Sequence, residues 1–288
     1  MDLLKKTQEL CRLYEIKPAR SKGQNFLIKE DIYEKMITAA ALAPDDVVLE
    51  VGPGLGFLTS KLAKIAKKVI AVELDDKLAD VLKIGLLAQG VKNVEVVNRN
   101  ILDFGFWILD LNLKSAIQNL KYKIVANLPY NITSIFLRKF LSAEIKPSSM
   151  VLMLQKEVAE RICAGTGKMS LLSVSVQFYA NAEIIAFVPA DSFWPEPAVD
   201  SAIIKLRVKN SALPANGQKL KDNDKEFFRL VKIGFSARRK MLKNNLVAGY
   251  RLDQKIVAEK IKIAGLSENC RPQELSVEDW IRLSAIIG

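Results

Sequence analysis

Short apolar runs rich in β-branched residues alternate with amphipathic stretches through the first half of the chain. The apolar runs predict strands at residues 47–51, 69–72, 94–97, 123–126 and 150–154. The stretches between them have apolar residues at helical spacing and predict helices at residues 58–65, 77–87 and 134–141. Because strands that alternate with helices form a parallel sheet covered on both faces, the pattern predicts a doubly wound α/β domain.

The pattern changes after residue 170. Apolar residues alternate with more polar neighbours, as in a strand, at Leu172, Val174, Val176 and Phe178. A further strand is predicted at Ser201–Val208, so we expect the sheet to finish with antiparallel members. We place the end of this first domain at residue 209.

Residues 210–224 are rich in Pro, Asn, Gly and Lys, which is typical of a linker. Helical spacing returns in residues 225–288, which predicts a small all-helical domain. Its apolar faces are formed by Phe227, Val231 and Phe235 and by Ile256, Val257 and Ile261. Asp253 is positioned to cap the second of these helices, and Ser276 with Asp279 matches a capping box for a last helix.

The composition excludes several kinds of chemistry. The chain has 288 residues, of which 50% are hydrophobic and 26% charged, and it has no histidine. The absence of imidazole excludes the usual serine and cysteine triads. Three scattered cysteines without a Cys-x-x-Cys pair support neither a disulfide framework nor a zinc site, so we expect no metal and a reducing, cytoplasmic setting. The apolar runs are too short to span a membrane, and we expect no membrane partner.

The charge is strongly basic, with a formal net charge of +11 at pH 7. From Lys219 onward there are 15 basic and 9 acidic residues, so the last quarter of the chain holds over half of the excess. A polyanionic partner such as a nucleic acid would explain this distribution, and a solvated basic surface would explain it equally well.

A glycine-rich turn follows the first predicted strand, at Gly52-Pro53-Gly54-Leu55-Gly56. A dinucleotide fingerprint would need glycine at position 57, which is Phe57, so NAD binding is disfavoured. The G-x-G-x-G spacing, with Glu73 closing the next strand, resembles the S-adenosylmethionine loop of class I methyltransferases. In that fold the acid of the second strand binds the ribose hydroxyls. Tight packing alone is the alternative explanation of the glycines.

The segment Asn127-Leu128-Pro129-Tyr130 ends the fourth predicted strand, at the same sheet edge as the glycine turn. A simple turn would explain it, but its groups also suit methylation of an exocyclic amine such as adenine N6. The Asn127 side chain and the Leu128 main chain supply oxygens that accept hydrogen bonds from the amine. Pro129 stiffens the turn, and Tyr130 offers an aromatic face for the base.

An extracted base loses its stacking, and two aromatic rings would compensate for the loss. We predict that the second ring is Phe193, which lies in a proline-flanked loop that we expect to expose it. Trp194 is the alternative, and packing in the core would explain either ring.

Six motifs, in order along nearly the whole chain, resemble those of the ribosomal RNA adenine N6-dimethyltransferases of the KsgA/RsmA type. They are Ser21-Lys22-Gly23-Gln24-Asn25-Phe26-Leu27, Glu50-Val51-Gly52-Pro53-Gly54-Leu55-Gly56, Val72-Glu73-Leu74-Asp75, Asn127-Leu128-Pro129-Tyr130-Asn131-Ile132, Pro195-x-Pro197-x-Val199-Asp200-Ser201-Ala202, and Phe235-Ser236-Ala237-Arg238-Arg239-Lys240-x-Leu242-x-Asn244-Asn245-Leu246. The resemblance implies a class I methyltransferase fold with a small helical C-terminal domain.

The resemblance also implies a set of cofactor contacts. S-adenosylmethionine, which leaves as S-adenosylhomocysteine, would contact Asn25, Leu27, Gly52, Gly54, Gly56, Glu73, Asn100 and Asn127. The family commonly has an aspartate that reads the cofactor adenine where this chain has Asn100. Asp103 is the alternative reader. The target adenine would contact Asn127, Leu128, Pro129, Tyr130 and Phe193.

The family's substrate is a pair of adjacent adenosines in the hairpin loop near the 3′ end of 16S ribosomal RNA. The resemblance implies that each is converted to N6,N6-dimethyladenosine in a pre-assembled 30S subunit, by an enzyme that we expect to be monomeric. Loops suit such an enzyme because their bases are accessible. The expected phosphate contacts are Arg238, Arg239, Lys240 and Lys243.

Two other functions fit parts of the same pattern. The related methyltransferases that modify large-subunit RNA and confer macrolide resistance share the first domain. The Arg238-Arg239-Lys240 segment is the reason to rank this function second. An assembly or transcription factor on the same fold would bind RNA without turnover. Intact Glu73, Asn127 and Tyr130 favour an enzyme.

Overall fold

The computed structural model describes residues 2–19, 23–104, 122–209 and 220–287. The chain divides into two compact units, the first made of Met1–Ala159 and Asn181–Val208 and the second of Glu160–Ala180 and Lys209–Gly288. Residues 160–180, which the sequence pattern placed in the catalytic domain, thus group with the C-terminal unit. Of the predicted linker at 210–224, residues 210–219 lie outside the described residues, and residues 220–224 are helical.

The described strands form two sheets. The strands are β1 (Phe26–Leu27), β2 (Val47–Val51), β3 (Lys68–Glu73), β4 (Val94–Asn98), β5 (Tyr122–Asn127), β6 (Ser149–Gln155), β7 (Ala180–Val188), β8 (Phe193–Trp194) and β9 (Ser201–Val208). The main sheet has the order β4-β3-β2-β5-β6-β9-β7, and β1 pairs with β8. The pairs from β4 to β6 are parallel, and β9 is antiparallel to β6. The five predicted parallel strands and the antiparallel strand at 201–208 are confirmed.

The central strands are buried on both faces, which explains their continuous apolar runs. Their register aligns their carboxyl ends, since Val51 lies opposite Val72 on β3 and opposite Ala126 on β5. The residues that follow these positions therefore meet at one edge of the sheet.

Helices connect and cover the strands. They are α1 (Leu3–Leu13), α2 (Glu30–Ala40), α3 (Phe57–Ala63), α4 (Asp76–Ala88), α5 (Thr133–Leu141), α6 (Lys156–Ile162) and α7 (Leu171–Tyr179). Asp75 ends the turn after β3 and starts α4, because its side chain accepts a hydrogen bond from the backbone N–H of Leu78 at 3.2 Å. Met36 of α2 and Leu62 of α3 are fully buried in the core that packs on this sheet.

The strand predicted from Leu172 to Phe178 is wrong, because these residues form the helix α7. A capping box starts the helix: the Ser170 hydroxyl accepts from the N–H of Ser173 at 3.2 Å, and the Ser173 hydroxyl accepts from the N–H of Ser170 at 2.6 Å. In so short a segment, the alternating pattern also contains i, i+4 pairs such as Val174 and Phe178, which fit a helix equally well. The capping box then favours the helix over the strand.

Residues 220–287 of the second unit are largely helical, in agreement with the helical spacing of the sequence. The helices are α8 (Leu220–Gly234), α9 (Leu242–Tyr250), α10 (Gln254–Ile263) and α11 (Val277–Ile287). The predicted caps are confirmed: Asp253 accepts from the N–H of Lys255 at 2.7 Å, and Ser276 and Asp279 exchange hydrogen bonds at 3.1 and 2.8 Å. Within the described residues, no helix is long and apolar enough to cross a bilayer.

Candidate active site

A cavity of about 390 Å³ lies at the carboxyl ends of the central strands in the first unit. Open α/β sheets bind their ligands at this edge. Of the predicted cofactor residues, those that line the cavity are Asn25, Leu27, Gly52, Gly54, Glu73, Asn100 and Asn127. The sequence motifs therefore converge on one site, although they span about a hundred residues of the chain.

The glycine turn brings the backbone into the cavity wall. Gly52 and Gly54 have φ values of 66° and 56°, a region that favours glycine. A Cβ on Gly54 would lie 3.2 Å from the ring of Phe26, so a side chain there would press on the opposite wall. Gly56, which was predicted to contact the cofactor, has a different role. It lies outside the cavity lining and precedes α3 with a φ of 81°. A Cβ on Gly56 would overlap Leu82 of α4, so this glycine permits helix packing.

Glu73 is held rigidly at the end of β3. One carboxylate oxygen, Oε2, accepts from the N–H of Gly54 at 3.1 Å, and Oε1 accepts from the N–H groups of Leu74 and Asp75 at 2.9 and 3.0 Å. Burial raises the pKa of this carboxyl, and the three backbone hydrogen bonds oppose the rise. The bonds fix the carboxylate toward the cavity, where it can accept further hydrogen bonds from hydroxyl groups.

Glu50 is a second acid in the cavity wall, and the motif that contains it led to no predicted contact for its side chain. Its side chain is 1% exposed, and Oε2 has no hydrogen-bond partner among the described residues. Burial raises the pKa of Glu50 to about 8. The nearby Thr59 hydroxyl lowers this pKa, although the two groups do not form a hydrogen bond of standard geometry, and the charge of Glu73 raises it. A buried, unsatisfied carboxyl facing a cavity suits a site that receives a cation.

The segment before α2 closes one side of the cavity. Ser21 and Lys22 of the N-terminal motif lie outside the described residues. Gln24 donates from Nε2 to the Asp75 carboxylate at 3.3 Å, and the backbone oxygen of Asn25 accepts from Nδ2 of Asn127 at 3.5 Å. This segment thus contacts the chain at the ends of both β3 and β5.

Asn100 lies in the cavity wall after β4. Its Oδ1 accepts from the N–H of Leu102 at 2.9 Å and starts a short 3₁₀ turn. Asp103, the alternative reader of the cofactor adenine, is exposed and does not line the cavity. The geometry therefore favours Asn100 of the two.

The turn after β5 presents two oxygens. Leu128 is buried, and its N–H donates to the carbonyl of Met153 at 3.0 Å, while no described residue donates to its own carbonyl. The Asn127 amide donates from Nδ2 to Asn25, which leaves Oδ1 without a described donor. Pro129 lines the cavity with φ −55°, and Tyr130 follows with its hydroxyl 2.7 Å from Ser201. Burial raises the pKa of the Tyr130 phenol, so the hydroxyl is neutral.

The expectation that the proline-flanked loop exposes Phe193 is wrong. Phe193 is 2% exposed and belongs to the core, because β8 pairs with β1 and sets Phe193 opposite Leu27. Trp194 lies opposite Phe26 and packs on the apolar cluster around that ring. Neither ring lines the cavity, so the pairing of β8 with β1 explains both aromatics.

The predicted RNA contacts lie in the second unit. Arg238, Arg239 and Lys240 form an exposed turn after the 3₁₀ segment Phe235–Ala237, and no carboxylate of the described chain forms an ion pair with them. Lys243, in α9, is partly buried and donates to Asn269 at 3.4 Å. The buried Asn245 supports the basic turn by donating to the carbonyls of Gly234 and Ala237 at 2.5 and 3.1 Å.

Several cavity residues have no role in the sequence-based prediction. They include Glu50, Tyr33, Phe57, Leu74, Asp75, Arg99 and Ile132. Leu74 and Asp75 follow Glu73 directly, so the strand end was a usable signal for them. Tyr33 reaches the cavity from α2 by a contact that only the fold creates, its hydroxyl donating to the carbonyl of Leu27 at 2.9 Å. Within the described residues, no cluster of acidic or cysteine side chains could hold a metal ion.

Proteins of similar sequence match nearly the full length of this chain. A family model for ribosomal RNA adenine dimethylase matches residues 17–288. The ribosomal RNA small subunit methyltransferase A of Dehalococcoides mccartyi is 41% identical over 281 residues, which cover 98% of this chain and 92% of that protein. The protein of the same name from Clostridioides difficile is 39% identical and covers 98% of this chain and 95% of its own.

Two solved structures resemble this chain over most of its length. A dimethyladenosine transferase from Plasmodium falciparum matches with a TM-score of 0.74 and 29% identity, over 90% of this chain and 95% of that chain. The 23S rRNA methyltransferase ErmE matches with a TM-score of 0.70 and 26% identity, over 91% of this chain and 99% of its own. The chain, with its class I α/β methyltransferase fold, therefore belongs to the ribosomal RNA adenine dimethylase family.

Proposed function

We propose that this enzyme dimethylates N6 of two adjacent adenosines in the 3′-terminal hairpin loop of 16S ribosomal RNA, within a pre-assembled small subunit. The observation that carries the proposal is the turn after β5, in which Asn127 lines the cavity and Leu128 follows it, with no described donor to the Asn127 amide oxygen or to the Leu128 carbonyl. Two acceptors at this place match the two hydrogens of an exocyclic amine.

The cavity fits S-adenosylmethionine. Glu73 would accept from the ribose hydroxyls, Asn100 would accept from the adenine amine, and Gly52 and Gly54 leave room for the backbone to approach the ligand. A cationic ligand would favour the charged form of the buried Glu50 carboxyl, which would then act as its counter-charge. When bound, the cofactor supplies an electrophilic methyl on a sulfonium. Asn25, Leu27 and Asn127 complete the proposed contacts.

The enzyme's own part is positioning. The lone pair of adenine N6 is delocalised into the ring, so acceptors that hold both N–H groups can turn the lone pair toward the methyl. Asn127 and Leu128 would do this, Pro129 would keep the Leu128 carbonyl in place, and Tyr130 would stack on the base. Positive charge disperses in the transition state, so no basic side chain is required, and the proton can leave to water. Phe193, buried beside Leu27, would support the β1 segment rather than stack on the base.

The basic turn of the second unit would bind RNA. Arg238, Arg239 and Lys240 are exposed, with no ion-pair partner in the described chain, and they suit phosphate groups, with Lys243 beside them. We propose that the enzyme acts in the cytoplasm as a monomer, without a membrane partner.

A second candidate substrate is large-subunit RNA, which is favoured by the match to the 23S rRNA methyltransferase ErmE. The relatives that are about 40% identical carry the small-subunit name, which supports the first candidate. An RNA-binding factor without turnover is the third.

Transfer of labelled methyl groups separates the three candidates. Small and large subunits that lack the modification are incubated with the enzyme and labelled S-adenosylmethionine, separately and in competition. We expect label in the small subunit. Label confined to the large subunit would favour the ErmE-like function, and tight subunit binding without label would favour an assembly factor.

A further inference from the structure

A hydrogen bond across the sheet edge joins Tyr130 to Ser201. The Tyr130 hydroxyl lies 2.7 Å from Oγ of Ser201, a residue 71 positions away. Ser201 is the first residue of β9, is 0% exposed, and lies opposite Gln155 of β6. The bond is therefore anchored in the core of the main sheet and not in the turn that carries Tyr130.

The turn that carries Tyr130 is short and leaves its ring partly exposed. Tyr130 follows Pro129 and opens a three-residue 3₁₀ turn, and its side chain is only partly buried. A tyrosine ring turns about two side-chain bonds, so a hydrogen bond at its tip removes much of this freedom. Ser201 supplies that bond from a buried position in the main sheet.

We infer that Ser201 is a positioning residue for methyl transfer, which fixes the ring of Tyr130 as a preformed face for the target base. This inference rests on the proposed function, in which Tyr130 stacks on the adenine. Ser201 acts only through Tyr130. An aromatic ring that is already ordered loses less conformational freedom when the base arrives, and the gain from one such side chain corresponds to about three- to tenfold in rate or affinity.

Three variants test the inference: Ser201→Ala, Tyr130→Phe, and the double variant. Both single variants keep the ring but lose the bond, and each leaves one hydroxyl without its partner. The double variant removes both hydroxyls, so no buried polar group is left unsatisfied and the folded state recovers stability. A merely structural role predicts that activity recovers with stability in the double variant. A positioning role predicts that activity stays low.

The readouts are kcat/KM for small subunits, the Kd of S-adenosylmethionine, and the melting temperature. We expect kcat/KM to fall about three- to tenfold in all three variants, with the double variant no worse than the singles, while the Kd of the cofactor is unchanged. Fluorescence of a 2-aminopurine placed at the target position of a hairpin RNA should report weaker capture of the base in the same variants.

Tyr122→Phe is the matched control. Tyr122 is a buried tyrosine at the other end of β5, and its hydroxyl donates to the carbonyl of Ile145 at 3.1 Å. Its loss should lower stability and leave kcat/KM unchanged. Wild-type kcat/KM in the double variant, or losses that follow the melting temperature in all four proteins, would overturn the role of Ser201. A wild-type enzyme that transfers no methyl to small subunits would overturn the proposed function, and this inference with it.

Discussion

Asn127 shows how one side chain joins two parts of the site. Its Nδ2 donates to the backbone of Asn25, in the segment that closes one side of the cavity, and in the proposed function this bond would orient Oδ1 for the target amine. The sequence predicted that Asn127 lies at the site, because it ends a parallel strand at the sheet edge where ligands bind. Its role toward the target amine stays a prediction. It did not predict the contact with Asn25, which lies 102 positions away.

Replacing Asn127 with alanine should lower kcat by about a hundredfold or more, because an acceptor aimed at the reacting amine is lost. Binding of small subunits should be unchanged, since the phosphate contacts lie elsewhere. Single-turnover methyl transfer and a filter-binding assay measure the two effects. Asn181→Ala, at an exposed asparagine of β7, is the control. Full activity in Asn127→Ala would remove the residue from the mechanism.

Glu50 should make stability depend on pH. With the pKa raised to about 8 in the folded state and near 4.5 in the unfolded chain, the folded state holds the extra proton between these values. The free energy of unfolding should therefore fall as pH rises from about 4.5 to 8, by about 1.4 kcal/mol per pH unit from this group.

Urea unfolding of the wild type and of Glu50→Gln at several pH values measures this contribution. The variant should show a flatter dependence, because glutamine does not titrate, while groups distant from Glu50 contribute equally to both proteins. Identical slopes in the two proteins would contradict a protonated Glu50.

At the scale of elements, the hydrophobic pattern predicted each parallel strand and failed at α7. Long runs of apolar residues have one explanation in a sheet covered on both faces, but the nine residues Leu171–Tyr179 fit both periods. The capping box formed by Ser170 and Ser173 favours the helix, and hydrophobic alternation alone takes no account of such polar pairs. The pairing of β1 with β8 was also beyond the pattern, since two-residue strands leave no periodicity, and it explains the buried Phe193.

Gly56 and Gly90 form a matched pair for testing the packing of α3 on α4. Both have a left-handed φ, 81° and 68°, but a Cβ on Gly56 would overlap Leu82, whereas a Cβ on Gly90 would meet nothing within 4 Å. Alanine at Gly90 should cost about 1–2 kcal/mol of stability from backbone strain alone. Alanine at Gly56 should cost about 1–3 kcal/mol more, because the buried Leu82 side chain must shift to make room for the Cβ. Equal costs in urea unfolding would show that the close approach at Gly56 is unimportant.

At the scale of the whole molecule, the charge distribution indicates a candidate region for RNA binding and does not predict single contacts. The basic excess after residue 219 indicated a contact region, and the structure places Arg238, Arg239 and Lys240 together on an exposed turn there. The support for this turn by the buried Asn245 could not be read from charge, because it depends on how α9 packs beneath the turn. The grouping of residues 160–180 with the C-terminal unit is likewise a property of the folded chain.

Replacing Arg238 and Arg239 with glutamine should weaken binding of small subunits and reduce its dependence on salt. Each lost phosphate contact should reduce the slope of log K against log salt by about 0.7–0.9. Binding titrations between 50 and 200 mM salt, about the range over which such contacts are resolved, measure the slope. Lys255→Gln is the control. It removes a positive charge from an exposed lysine of α10, in the same structural unit, and should change the slope less. An unchanged slope in the double variant would exclude the turn from the RNA contact.

Nucleoside mass spectrometry of ribosomal RNA tests the central claim most directly. Small subunits that lack the modification are incubated with the enzyme and S-adenosylmethionine, and their RNA is digested and quantified. The proposed function predicts N6,N6-dimethyladenosine at two residues per subunit, both in the 3′-terminal hairpin loop, and none with Asn127→Ala. Small-subunit RNA without dimethyladenosine, under conditions in which the enzyme binds both the subunit and the cofactor, would contradict it.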